Sequence, residues 1–359
     1  AAKMIKQMQA TPDSTTIRAL DVLLDRVFHR IYAGLEVDME GLKRLRELSH
    51  QDGAIVLLPS HKSHVDYLVL SFIMFENNLP LPTIAAGDNL SFFPLGPVLR
   101  RAGAFFIRRS FKGDKLYAVA VEAYVRRLLR EGHTLELFLE GGRSRTGKAL
   151  RPQLGLLGMV LDAALAVQNR EVLFVPISIG YERIVESGAY GRELIGGEKE
   201  KEDAAGLMRS ANVLRNRYGR INMQFGKPLS VDDLCAELSL PRSALTLPAK
   251  RRAVLTRLGN RAIDEVNRVT AVTPGALVAL VLLSDERRTI SHEELVFRCQ
   301  RLLRVLTSAQ ARIAPQIAQD GVLNEAAVTQ AAQMFMDAEL LETHHPGDFP
   351  SDQDRRLSR

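Results

Sequence analysis

Four short segments hold most of the side chains that could do chemistry. They are HKSHVD at 61–66, GAFFIRR at 103–109, FLEGGRSR at 138–145 and VPISIGYER at 175–183. In the first, His61 and Asp66 lie about one helical turn apart across a strand-to-helix turn. A carboxylate folded back onto Nδ1–H would fix the imidazole tautomer and leave Nε2 free as a general base. Such a base typically contributes about 10² to 10⁴ in rate. The same residues also fit a helix start, because Ser63-His64-Val65-Asp66 has the form of a capping box with Asp66 in the first turn. The spacing alone leaves both readings open. His64 reads as a surface or supporting histidine.

In EGGRSRTGK (140–148) two glycines after a strand let backbone N–H groups approach an anion. Arg143 and Arg145 could grip one phosphate through paired hydrogen bonds, or could belong to a solvated basic turn. Gly142 to Lys148 also has the G-x-x-x-x-G-K form of a phosphate loop. Ala149 stands where a hydroxyl should follow, and Pro152 falls in what should be the next helix, so nucleotide hydrolysis is disfavoured. Arg108 and Arg109 either add charge to the same pocket or mark a strand end, with the plainer reading preferred. Glu140 either orients the arginines or caps a helix.

These segments need a frame. Hydrophobic residues make up 46% of the 359 and charged residues 25%, as in an ordinary globular protein. The net charge of +6 favours an anionic partner without naming it. Aromatic residues are only 6% and Trp is absent, which argues against nucleic acid. Cys235 and Cys299 suggest neither disulfides nor zinc, so a reducing compartment is the default. The chain opens AAKMIKQ without an initiator Met, which leaves a longer native protein open. No apolar run reaches the roughly 18 to 20 residues of a spanning helix, so membrane contact is expected to be peripheral.

Periodicity predicts helix over 14–48, then strands at 54–60, 82–87, 104–109, 134–140, 171–179 and 221–228. Helices are predicted at 65–75, 114–131 and 154–167. The stretch NLSFFPLGPVL (89–99) reads as loop, with Phe92, Phe93 and Leu95 more readily core than acyl channel or lipid contact. Strand–helix alternation implies an α/β fold with a mixed, largely parallel sheet flanked by helices. The expected division is an N-terminal helical segment (1–50), an α/β catalytic domain (51–230), a C-terminal helical region (231–341) and a disordered tail (342–359). Sites in such sheets lie at the carboxyl ends of strands, where the four segments fall.

In this order and spacing, the four segments resemble the motif blocks of the glycerolipid acyltransferases. His61 and Asp66 match that family's His-x4-Asp signature, and the resemblance spans roughly residues 50 to 230. Glu-Gly-Gly-Arg-Ser-Arg at 140–145 is similar to the branch that acylates glycerol 3-phosphate or dihydroxyacetone phosphate. In the lysophosphatidate branch, Asn more often precedes the His and Thr replaces the second Gly; here these are Ser60 and Gly142. TPGALVALVLL (273–283) is similar to the helical region that follows the catalytic domain in the first branch.

The resemblance implies that His61 is the general base and Asp66 its orienting partner. It implies that Arg109, Arg143 and Arg145 bind the acceptor phosphate, that Glu140 and Gly141 shape the acceptor site, and that Pro176 sits near the acyl donor. It implies no metal and no cofactor. The expected reaction is acyl transfer from acyl-CoA or acyl-ACP to the sn-1 hydroxyl of glycerol 3-phosphate, giving lysophosphatidic acid, on the acidic cytoplasmic face of a membrane. Backbone N–H groups at the helix start after His61 are expected to meet the oxyanion. A metal-dependent hydrolase using His61, His64 and Asp66 is the rival from another class, and their spacing fits no common metal motif.

Overall fold

The computed structural model describes residues 2–51, 53–108, 110–111, 113–167, 170–194, 214, 216–285, 289–319 and 321–343. It divides into two compact units, Ala1–Ala271 and Val272–Arg359. The second unit begins later than the boundary near residue 231 read from the change of pattern.

The first unit opens with α1 (Ala2–Met8) and α2 (Ser14–Ile31), then β1 (Gly34–Val37) and α3 (Met39–His50). The helix expected over 14–48 is thus interrupted by a strand. Asp38 restarts the helix by accepting a bond from Gly41 N–H at 3.1 Å. Next come β2 (Ala54–Pro59), α4 (Asp66–Glu76), β3 (Thr83–Gly87), α5 (Leu95–Arg101), β4 (Ala104–Ile107) and α6 (Lys115–Arg130). All six residues of β2 are buried, as suits a central strand covered on both faces. The segment 89–99 is not wholly loop, because α5 starts inside it. Pro97 falls in the first turn of α5, where a missing N–H costs nothing. Phe93 is 85% exposed and Phe92 37%, so neither is core.

Beyond α6 the chain forms β5 (Leu135–Glu136), α7 (Leu154–Ala166), β6 (Val172–Tyr181), α8 (Ser187–Leu194), β7 (Arg220–Phe225) and β8 (Leu229–Ser230). It then forms α9 (Val231–Glu237) and α10 (Pro248–Val269). The strand expected over 134–140 is regular only at 135–136, although Leu137 N–H still reaches Leu57 O at 3.1 Å.

The sheet runs in the order β1-β7-β6-β2-β5-β3-β4, with β8 also on β6. The strands β6, β2, β5, β3 and β4 are mutually parallel, and β7 and β8 run antiparallel to β6. The sheet is therefore mixed and largely parallel, with helices against it. One apolar cluster joins β5 to α6 and α7 through Leu135, Val125, Leu128, Val160 and Leu161. A second packs α2 and α4 on the opposite side of β2, through Phe28, Leu57, Val69 and Phe72. Because the parallel strands point one way, the segments after β2, β4 and β5 and beyond β6 emerge along one edge.

The second unit contains α11 (Pro274–Leu283), α12 (His292–Ser308), a hairpin of β9 (Ala318–Gln319) and β10 (Val322–Leu323), and α13 (Glu325–Asp337). Among the described residues no helix is long and apolar enough to cross a membrane. The tail beyond residue 343 lies outside the described residues.

Candidate active site

The turn between β2 and α4 is built around one buried carboxylate. Asp66 Oδ2 accepts from His61 Nδ1 at 2.9 Å, Lys62 N at 2.7 Å and Ser63 N at 2.9 Å. Its Oδ1 accepts from the Tyr181 hydroxyl at 2.6 Å. Four donors thus meet a side chain with no solvent exposure. The imidazole orientation and the capped turn are one construction. The full capping box does not form, since Ser63 Oγ donates to Glu186 at 2.8 Å and α4 has no side-chain N-cap. The Asp66 bonds place the proton on Nδ1 and leave Nε2 as the lone-pair nitrogen.

Glu140 holds the same turn from the other side. Its Oε1 accepts from His61 N and its Oε2 from Leu150 N, each at 2.8 Å. His61 O in turn accepts from Ser144 N at 2.8 Å. Glu140 therefore braces the His61 turn against the glycine loop. Burial raises its pKa, against the two N–H bonds that favour the charge. The His61 ring stacks on Phe138, with centroids 4.1 Å apart. Gly141 adopts φ +65, and a Cβ there would lie 2.7 Å from the Gln153 side chain.

His61, Glu140, Gly141, Arg143 and Arg145 all line one cavity of about 990 Å³. Arg108 and His64 also line it. Arg143 donates to the Tyr190 hydroxyl at 2.8 Å and lies 3.4 Å from a Glu186 carboxylate oxygen. Arg108 pairs with Asp114 at 2.8 Å and lies over the Tyr117 ring. Arg109 lies outside the described residues. Pro176 is not in the cavity wall: it sits within β6 opposite Leu58, and its carbonyl accepts from Gly226 N. The wall of the cavity also includes the apolar residues Leu24, Phe72, Phe75, Leu81, Leu99 and Met159.

Sequence reasoning missed three partners: Tyr181, Glu186 and Tyr190. Glu186 is 2% exposed and accepts from both Ser63 Oγ and His64 N. Burial raises its pKa, opposed by those bonds and by Arg143. Burial also pushes Tyr67 in the cavity wall up to about 12, with Asp66 adding to the effect. The signal for Tyr181 lay inside the fourth segment; nothing local marked Glu186 or Tyr190.

The N–H groups of residues 61 to 66, which include the first of α4, are not open to an oxyanion. The N–H groups of residues 61 to 66 go to Glu140, to Asp66 twice, to Glu186, to Ser63 Oγ and to Ser63 O. The resemblance to a phosphate loop also ends here, because α7 starts only at Leu154, after Pro152. Among the described residues no group of three His, Cys, Asp or Glu side chains could hold a metal ion. Both oxygens of Asp66 are already engaged.

Residues 36–180 match the acyltransferase family model. Residues 190–356 match the model of the glycerol-3-phosphate acyltransferase C-terminal region. The chain is 36% identical over 309 residues to a protein of Haemophilus ducreyi (strain 35000HP / ATCC 700724) named glycerol-3-phosphate acyltransferase, covering 85% of this chain and 38% of that one. A protein of the same name from Pasteurella multocida (strain Pm70) is 36% identical over 301 residues, covering 82% and 37%. The chain therefore spans less than half the length of these relatives. The solved 1-acyl-sn-glycerophosphate (LPA) acyltransferase, PlsC, of Thermotoga maritima superposes with a TM-score of 0.39 at 16% identity, over 71% of this chain and 81% of that one. On its two domain matches and these relatives, the chain belongs to the glycerolipid acyltransferases, in their glycerol-3-phosphate acyltransferase branch.

Proposed function

We propose that this chain carries the catalytic centre of a glycerol-3-phosphate 1-O-acyltransferase acting at a membrane surface. The observation that carries the reading is the sharing of one cavity by a carboxylate-bound imidazole, two arginines and many apolar side chains. His61 Nε2 takes the proton of the acceptor hydroxyl as its oxygen attacks the thioester carbonyl. The tetrahedral intermediate collapses, the C–S bond breaks, and the imidazolium returns the proton to the leaving thiolate. The products are an ester and a free thiol. Arg143 and Arg145 hold the acceptor phosphate so that its hydroxyl meets the base, a gain in orientation. The apolar side chains accept the acyl chain, and the donor is acyl-CoA or acyl-ACP.

Glycerol 3-phosphate is the favoured acceptor, on the names of the relatives. Thiol release from palmitoyl-CoA should require glycerol 3-phosphate and be far slower with dihydroxyacetone phosphate or lysophosphatidate. Arg143→Ala should raise the acceptor KM by about 10- to 100-fold, as loss of a charged hydrogen-bonded contact does. An effect confined to the donor KM would remove the arginines from the phosphate role. Sedimentation with anionic vesicles but not neutral ones would support the membrane placement, and no sedimentation with either would remove it.

A further inference from the structure

We propose that Tyr190 is a positioning residue that couples the phosphate-holding arginines to the base-bearing turn; this rests on the acyltransferase reading above. Tyr190 lies on α8 and is 3% exposed. Its hydroxyl accepts from Arg143 at 2.8 Å and donates to the Lys62 carbonyl at 3.2 Å. One oxygen therefore joins an arginine of the glycine loop to the residue next to His61. The ring adds a second constraint. The guanidinium carbons of Arg143 and Arg145 lie 5.6 and 5.7 Å from its centroid, so a single aromatic group sets the position of both cations.

Glu186 reinforces the link from one helical turn earlier. Tyr190 N–H bonds Glu186 O at 3.0 Å, and residues four apart share a helix face. The Glu186 carboxylate holds Ser63 Oγ and His64 N on the base-bearing turn and stands 3.4 Å from Arg143. Two side chains, both beyond the four motif segments, thus bridge the same two parts of the site. An arginine is long and has many rotamers, and holding it in advance strengthens phosphate binding. The turn that carries His61 is indexed to the same hydroxyl, so the phosphate grip and the base keep a fixed separation.

The test is Tyr190→Phe, which keeps the ring and removes the hydroxyl. Calorimetry should show glycerol 3-phosphate and inorganic phosphate each binding about tenfold more weakly, the usual effect of losing one hydrogen bond to a charged group. In turnover, the acceptor KM should rise by the same factor, with the donor KM unmoved and kcat within about threefold. A merely structural role would instead shift both KM values and the melting temperature together. The same substitution in an Arg143→Ala background should cost almost nothing further, because its effect passes through that arginine. Unchanged phosphate affinity in Tyr190→Phe, or an additive double variant, would overturn the proposal. Binding is read without turnover, so the two readings fail separately. Weakened phosphate binding beside a fully active His61→Ala would sink the acyltransferase mechanism and leave the positioning role standing.

Discussion

The segment from Leu135 to Glu140 faces two different environments, and their comparison explains how the site is held. Leu135, Leu137 and Leu139 enter the apolar cluster with α6 and α7. Glu136, Phe138 and Glu140 alternate with them in sequence and do not belong to that cluster. Phe138 stacks on His61 and Glu140 braces its main chain. One short run therefore supplies apolar packing and also holds the turn that carries His61, with Leu137 reaching the cavity wall as well. Stability and activity should be separable by alternate substitutions along it.

The largest expected effect belongs to the catalytic side. His61→Ala should lower kcat by at least about 10³-fold while leaving the melting temperature near wild type. A rate within tenfold of wild type would end the base assignment. Asp66→Asn should lower kcat by about 10² to 10⁴, since an amide cannot hold the same imidazole tautomer and still accept from Tyr181. Its readout is the rate at saturating substrates, with circular dichroism confirming the fold.

On the packing side, Leu139→Ala should cost about 2–5 kcal/mol of stability by denaturant titration. Both KM values should hold at temperatures where the variant remains folded. A selective rise in acceptor KM would mean that the two sides are not independent.

The smallest effect sharpens the comparison within the catalytic side itself. Asp66 and Glu136 are both fully buried, yet Asp66 accepts four bonds while neither oxygen of Glu136 has a partner. Burial raises the pKa of Glu136 well above the ordinary carboxylate value of 4.5, and the charge of Asp66 adds to that. The folded chain therefore keeps this proton to higher pH than the unfolded chain. Its contribution to stability is fully present below pH 4.5 and is lost as pH rises towards the folded pKa. Glu136→Gln, which cannot ionise, should raise the melting temperature by a few degrees near about pH 8 and change little near about pH 4. The opposite pH trend would mean that Glu136 is charged and paired in the folded protein.

The sequence made much of this legible, for identifiable reasons. The apolar run at 54–60, bounded by Gly53 and Pro59, read as a buried strand, and Asp114 and Gly132 stand at the two ends of α6 as capping rules favour. His61, Asp66, Glu140, Gly141, Arg143 and Arg145 were recognisable because each sits in or beside a strand-end turn. What escaped depended on distant pairing. β1 is four residues long and exists because it pairs with β7, far along the chain. Glu186 and Tyr190 carry no local pattern, since their meaning lies in Ser63, Lys62 and Arg143. The oxyanion expectation counted N–H groups near His61, and those of residues 61 to 66 already have acceptors that the sequence does not reveal.

The imidazole is held at three places: Nδ1, the main-chain N–H and one ring face. Its freedom is removed once, when the chain folds, and not again in every round of catalysis. If His61 is the base proposed above, it has nothing to wait for, and substrate arrival should leave its mean position unchanged.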